Sequence, residues 1–67
     1  MTTDAYIAIR KTKDESKEWA DTSTVSNDLD DCAANARHMD MKVPEWASAN
    51  PVQRIEKCRI DSWPIEA

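Results

Sequence analysis

The sequence predicts an α+β domain in which one main helix packs on a small antiparallel three-stranded sheet, in the order β-β-α-β. Three observations predict it: alternating apolar residues near the N-terminus, then a stripe of apolar residues at helical spacing, then recurring β-branched residues after Pro51. The 67 residues suffice for one domain, residues 1–67. A domain this short buries only about 60% of its unfolded surface, so a partner is expected to add stability.

The first strand is predicted over Ala5–Ile9 from a period of two. Its inward set is Ala5, Ile7 and Ile9, and its outward set is Tyr6, Ala8 and Arg10. A short second strand, Glu18-Trp19-Ala20, is predicted antiparallel to it, with Trp19 inward and Glu18 outward. The chain has no glycine, so the polar loop between them must be longer than a two-residue hairpin turn.

Residues 26–40 are predicted to form the main helix. Candidate caps precede it (Thr22, Ser23, Thr24 and Ser26), and three aspartates sit where the helix dipole favours negative charge (Asp28, Asp30 and Asp31). One apolar stripe runs along it: Val25, Leu29, Cys32, Ala36, Met39 and Val43. Arg37 and His38 lie near its end, and Pro44 stops it.

Pro44–Ala49 is predicted to form a single helical turn, with Trp46 closing the core. Asn50, Pro51 and Gln53 together are typical of a helix start.

The apolar residues that follow do not keep a helical stripe (Val52, Ile55, Cys58 and Ile60). A strand over residues 52–62, bulged near Glu56-Lys57 and lying beside the first strand, is therefore favoured over a helix. This arrangement gathers the basic residues on neighbouring strands: Arg10, Lys11, Lys13, Arg54, Lys57 and Arg59.

The net charge of −4 is unevenly distributed: residues 14–31 carry seven carboxylates against Lys17, between two basic segments. The basic segments suggest nucleic-acid contact. Against this, Tyr6 is the single nearby aromatic residue on which a base could stack, and the overall charge is acidic. The acidic segment suggests mimicry of nucleic acid, although the helix dipole explains its last three aspartates. A solvated polar face is the simplest interpretation of both.

Catalytic and cofactor motifs are not found in the sequence. Phosphate-cradling loops, dinucleotide-binding turns and EF-hand loops need glycine, which the chain lacks. His38 is the one histidine; Cys32, six residues away, diverges from it on a helix, so no metal site is predicted. No nucleophile–base pair stands out, and the domain has little room for a cleft. We therefore expect no enzyme activity and no cofactor.

Cys32 and Cys58 both fall on predicted inner faces. Reduced, buried thiols are expected in a cytoplasmic chain, with a disulfide between them as the alternative. The cytoplasm is the expected location because the N-terminus shows no basic region leading into an apolar one. The longest apolar run, Ala5–Ile9, is too short to cross a bilayer.

Three segments resemble the short accessory proteins encoded by tailed bacteriophages and prophages. They are Tyr6-Ile7-Ala8-Ile9-Arg10-Lys11, then Trp19-Ala20 leading into Thr24-Val25-Ser26, and Trp46-Ala47 followed by Asn50-Pro51-Val52. The resemblance implies a protein that occupies the surface of a host or viral protein in an anti-defence or regulatory role. It carries over no functional residue.

The predicted function is thus non-enzymatic: binding a protein partner and blocking or modulating it, with homodimerisation expected because a small sheet exposes an edge. The predicted contact residues are Trp63, Tyr6, Arg54 and Arg59. The alternative is a nucleic-acid-directed protein, either a weak binder through its basic strands or an acidic mimic.

Overall fold

A computed structural model describes the backbone of residues 2–61 and the side chains of residues 4–59. The elements in chain order are β1 (Thr2–Lys11), β2 (Glu18–Ser26), α1 (Leu29–Lys42), α2 (Pro44–Ala49) and β3 (Val52–Asp61). The strands form one antiparallel sheet in the order β2-β1-β3, and α1 packs on it. The predicted α+β class, the antiparallel hairpin, the turn over Pro44–Ala49 and the last strand beside the first are confirmed.

The loop between β1 and β2 shows how the chain turns without glycine. Six residues, 12–17, connect the strands, and the Thr12 N–H donates to the Lys17 carbonyl at 2.9 Å. Asp14 organises the loop by accepting from the Ser16 N–H and hydroxyl and from the Thr12 hydroxyl, which lowers its pKa to about 2. Glu15 takes the left-handed position with a φ of 62°, which a side chain disfavours.

The prediction that β1 is half-buried is wrong. Ala5 and Ile9 are buried as expected, but Ala8 and Arg10, expected to face solvent, are completely buried as well. β1 is the central strand, and both of its faces are covered. The helices and the segment after α2 cover Arg10, while Ile9 lies between Ala20 and Arg54 on the opposite face.

The predicted start of the helix is also wrong. β2 continues to Ser26, and the helix begins at Leu29 and ends at Lys42 rather than spanning residues 26–40. The predicted caps belong to the strand because β2 bulges there: four residues, 22–25, lie between Asp21 and Ser26 where β1 has only Ile7. Thr24 fills the bulge, accepting from the Ala8 N–H at 2.9 Å and donating to the Asp21 carbonyl at 2.7 Å.

The apolar stripe of α1 is only partly buried. Cys32 and Ala36 are buried and Met39 is half-buried, whereas Leu29 is 48% exposed. The later helix start moves Val25 into β2 and leaves Leu29 in the first turn, beyond the covered part of the helix face.

The bulge predicted near Glu56-Lys57 is wrong. The β1–β3 ladder is regular from Asp61 to Arg54 and shifts at Gln53, because Ile9 pairs with Arg54 and Arg10 with Val52. The irregularity lies where the chain enters β3, next to the hydrogen bond from the Lys11 N–H to the Pro51 carbonyl.

Candidate functional site

The most specialised site in the fold surrounds a buried arginine. Arg10 is fully buried, and its Nε donates to Asp21 Oδ2 at 2.7 Å. Its Nη1 donates to Asp40 Oδ1 at 3.0 Å and to the Asn50 carbonyl at 2.9 Å. One side chain thus joins the central strand to β2, to α1 and to the residue after α2.

The electrostatics of the site favour the charged pair. Burial is the largest single influence on the pKa of Asp21 and acts to raise it. Hydrogen bonds from Ser23 and Arg10 together outweigh burial and leave the pKa of Asp21 below its ordinary value. Among the described residues, Arg10 Nη2 is buried without a hydrogen-bond acceptor.

The same arginine positions an aromatic pair. Its guanidinium carbon lies 4.7 Å from the centroid of the Trp46 ring, and Trp46 lies 5.6 Å from Trp19 with the rings tilted by 59°. These distances are typical of cation–π and edge-to-face contacts. The Asn50 side-chain amide also donates to the Trp46 carbonyl at 2.9 Å. Trp19 therefore points inward as predicted, and Trp46 is fixed in orientation.

Several exposed apolar side chains lie where the two helices join, in a segment that we call the α1–α2 corner: Met41, Val43, Pro44, Glu45 and Trp46. Met41 is 81% exposed and Val43 is 36% exposed. The four residues from Val43 to Trp46 line an open hollow of about 390 Å³. The corner thus combines exposed apolar side chains with a rigidly supported indole.

Arg54, a predicted contact residue, is engaged within the monomer. It donates to Glu18 Oε1 at 2.8 Å across the central strand and to Glu56 Oε2 at 2.5 Å along β3. These hydrogen bonds raise the pKa of Arg54 and lower that of Glu18. The side chain also lies opposite Ile9, so the triad of Glu18, Arg54 and Glu56 covers the helix-free face of the sheet.

The other predicted contact residues are not gathered into one cluster. Arg59 is 77% exposed and forms an ion pair with Asp4 at 3.4 Å, while Lys57 contacts the same carboxylate at 3.3 Å. These two cations, Lys57 first, lower the pKa of Asp4. Tyr6 is half-buried on β1 opposite Lys57. Trp63 lies outside the described residues.

The basic residues lie on the neighbouring strands β1 and β3 as predicted, except for Lys13 in the β1–β2 loop, but they do not form an unpaired cationic surface. Arg10 is inside the protein, and the other strand cations lie beside carboxylates; Lys11, for example, forms an ion pair with Glu15 at 3.3 Å. The start of α1, by contrast, carries carboxylates without neighbouring cations. Asp28, Asp30 and Asp31 are exposed and form no ion pair with any other described residue.

The titratable groups offer little for chemistry. Both cysteines are free; Cys32 is buried and burial raises the pKa of its thiol, whereas Cys58 is half-buried. His38 is exposed. Within the described part of the chain, no three His, Cys, Asp or Glu side chains converge as a metal site requires.

Sequence reasoning missed the partnership of Arg10 and Asp21. The available signal was the position of Arg10 directly after the apolar run Ala5–Ile9, in the strand expected to have two neighbours. When helices cover one face of a sheet, a cation on that face of the central strand is buried, and a buried cation needs a carboxylate partner.

Comparisons with protein-family models, with curated proteins and with solved structures find no match for this chain. Neither helix in the described range has the length and apolar character that crossing a membrane demands.

Proposed function

We propose that this chain is a non-enzymatic accessory protein of the phage type that binds a protein partner in the cytoplasm and blocks or modulates it. The observation that carries the proposal is the α1–α2 corner, where Met41 is 81% exposed two residues before the segment from Val43 to Trp46 that lines the hollow. Free cysteines are compatible with the reducing cytoplasm.

The chemistry of the corner favours an apolar protein segment as the occupant. Methionine and tryptophan contribute strongly to interfaces because they bury large areas, and methionine adapts to different shapes. Trp46 is already oriented by Arg10 and Trp19, so little side-chain freedom is lost on binding. Glu45 lines the hollow, and we therefore expect the partner to present an apolar side chain next to a lysine or arginine.

The contact residues predicted from the sequence remain part of the proposal as a second region. Arg59 is favoured over Arg54, because Arg59 is more exposed and its ion pair with Asp4 is longer than either contact of Arg54. Trp63 stays the proposed aromatic anchor and Tyr6 the second aromatic contact.

The test is affinity capture from a bacterial lysate with three versions of the chain, followed by quantitative mass spectrometry. Met41→Asp alters the corner at an exposed position, and Lys13→Asp is the control at an exposed position in the β1–β2 loop. We expect a protein retained by the wild type and the control and reduced at least tenfold by Met41→Asp. Equal retention by all three versions contradicts the assignment of the corner.

The acidic start of α1 supports a second candidate, an acidic mimic that binds a nucleic-acid-binding protein. Asp28, Asp30 and Asp31 are exposed around Leu29, whereas the strand cations needed for direct phosphate contact are paired. A mimic competes with nucleic acid for the captured partner, and Asp30→Asn with Asp31→Asn weakens that competition. Direct binding to single-stranded DNA that falls steeply with added salt would instead support the basic-strand alternative.

A further inference from the structure

The two edges of the sheet differ in how well they can accept another strand. The β2 edge is interrupted by the bulge over residues 22–25, which Thr24 fills from inside. Bulges of this kind disturb the backbone ladder and are a common way to prevent pairing between edges. β2 is therefore a poor template for a further strand.

The β3 edge is continuous. Eight consecutive residues of β3, from Arg54 to Asp61, pair with β1 without a register shift. β3 is the last strand of the sheet, so every second residue directs its backbone N–H and C=O away from β1. Such a row of backbone groups favours addition of another strand.

We propose that two copies of the chain pair antiparallel through β3, with Ile55 opposite Ile55 of the second copy. This inference does not depend on the α1–α2 corner. In a two-fold antiparallel pair, the backbone groups of two facing residues point either both toward or both away from the partner strand, so some residue must oppose its own copy. The possible registers are therefore few. Charge excludes most of them, and centring the pair on Ile60, at the end of β3, leaves only residues 59–61 of the strand to pair.

Most registers place like charges face to face. Centring the pair on Arg54, Glu56, Lys57 or Arg59 puts that residue against its own copy. Centring it on Cys58 puts Lys57 against Arg59 twice. Like charges directly opposite each other in a sheet are destabilising.

The register centred on Ile55 has no such clash. Arg54 lies opposite Glu56 of the second copy, and Glu56 lies opposite the second copy's Arg54. Gln53 comes opposite Lys57 and Val52 opposite Cys58, but the β1–β3 ladder shifts at Gln53, so the regular part of this pair runs from Arg54 to Glu56. Arg54 and Glu56 already contact each other within one chain, so the dimer forms a square of alternating charges on the helix-free face. On the other face, Ile55 pairs with the buried Ala8, and its copy extends the apolar layer under the helices.

The test is sedimentation equilibrium of the full chain over a wide concentration range. We expect a reversible equilibrium between a monomer of 7.6 kDa and a species of twice that mass. Glu56→Arg places arginines opposite each other twice and should raise the dimer dissociation constant at least tenfold. The matched control is Glu18→Arg, which reverses the other carboxylate bound to Arg54 but lies on β2, at the opposite edge of the sheet from the proposed contact. It should leave the dissociation constant within threefold.

A mixing experiment tests the register itself. Arg54→Glu and Glu56→Arg each repel their own copies, but an equal mixture of the two variants places glutamate opposite arginine at both positions. We expect each variant to be monomeric alone and the mixture to dimerise, with circular dichroism melts confirming that both are folded. A wild-type chain that stays monomeric, a Glu56→Arg variant that dimerises normally, or a mixture that stays monomeric overturns the proposal. So does a wild-type dimer cross-linked by oxidation through Cys58, because Cys58 faces itself only in another register.

Discussion

Replacing Arg10 with methionine removes the charge at the centre of the fold while keeping much of the side-chain volume. In the native protein the guanidinium is completely buried and contacts Asp21, Asp40, the Asn50 carbonyl and the Trp46 ring. Methionine can fill the space but can donate none of these hydrogen bonds. Asp21, which is 4% exposed, is then left as a buried carboxylate without its cation.

The expected loss is large relative to the stability of the domain. Leaving one member of a buried ion pair unpaired costs about 3–5 kcal/mol, and losing the contact with Trp46 adds about 0.5–2 kcal/mol. Asp40 contributes little, because its carboxylate is 45% exposed and screened by solvent. At about 0.05–0.15 kcal/mol per residue, a chain of 67 residues has roughly 3–10 kcal/mol in total. Arg10→Met should therefore remove at least about a third of the stability and, toward the lower end of that range, all of it.

Urea denaturation followed by tryptophan fluorescence measures the effect, since the burial of Trp19 and Trp46 depends on this site. The informative comparison is the double variant Arg10→Met with Asp21→Asn, which removes the stranded charge while the asparagine oxygen still accepts from Ser23. We expect the double variant to be more stable than Arg10→Met by about 2 kcal/mol, because removing both charges avoids the cost of burying one alone. A loss below about 1.5 kcal/mol in the single variant, or no recovery in the double variant, would refute the reasoning.

Three further predictions concern acid stability, the hairpin loop and the thiols. The pKa of Asp21 lies below its ordinary 3.8 in the folded protein, so the unfolded chain binds more protons as the pH falls through that value. The stability that Asp21 contributes is complete above pH 3.8 and is lost as the pH falls through the folded pKa. An acid titration at constant urea measures this loss, and Asp21→Asn should make the curve less steep; the remaining slope belongs to Asp4, Asp14 and Glu18, whose pKa values are also lowered. Glu15→Gly should raise the free energy of unfolding by up to about 1 kcal/mol in thermal or urea melts, because glycine adopts the left-handed conformation without steric cost. Glu15→Ala should give no such increase. A glycine variant that is less stable than the wild type would show that the ion pair with Lys11 contributes more than the backbone conformation. Cys58 should react with a thiol reagent under native conditions at least tenfold faster than Cys32, because burial shields Cys32 and raises the pKa of its thiol. The rates are measured in single-cysteine variants, and equal rates would contradict the packing of α1 against the sheet.

The elements with a clear local signal could be predicted from the sequence. Pro44 at a helix start defined α2, and the β-branched residues after Pro51 defined β3. The position of β3 beside β1 could also be predicted, because the helix must cross back over one apolar face of the sheet. The end of β2 could not be predicted, because threonine and serine are equally suited to a helix cap and to a strand. Only the packing of Thr24 against Ala8 decides between them.

The candidate site was less accessible to prediction than the fold. An alternating pattern assigns Arg10 to solvent, and nothing local indicates that Asp21, eleven residues away, and Asp40, thirty residues away, converge on it. Partnerships of this kind depend on tertiary geometry. The exposure of Met41 was hidden for a related reason, since the apolar content of α1 exceeds what its covered face can bury.

The strand order has a consequence for biosynthesis. The first strand made occupies the middle of the sheet, and Thr2 meets its neighbour Asp61 only after almost sixty further residues have been translated. A nascent chain on the ribosome can form the β1–β2 hairpin and pack the helices on it, but the other edge of β1 stays unpaired until β3 has been synthesised. Assembly is thus completed in a single late step, which makes the stalled or prematurely terminated chain a natural client for chaperones.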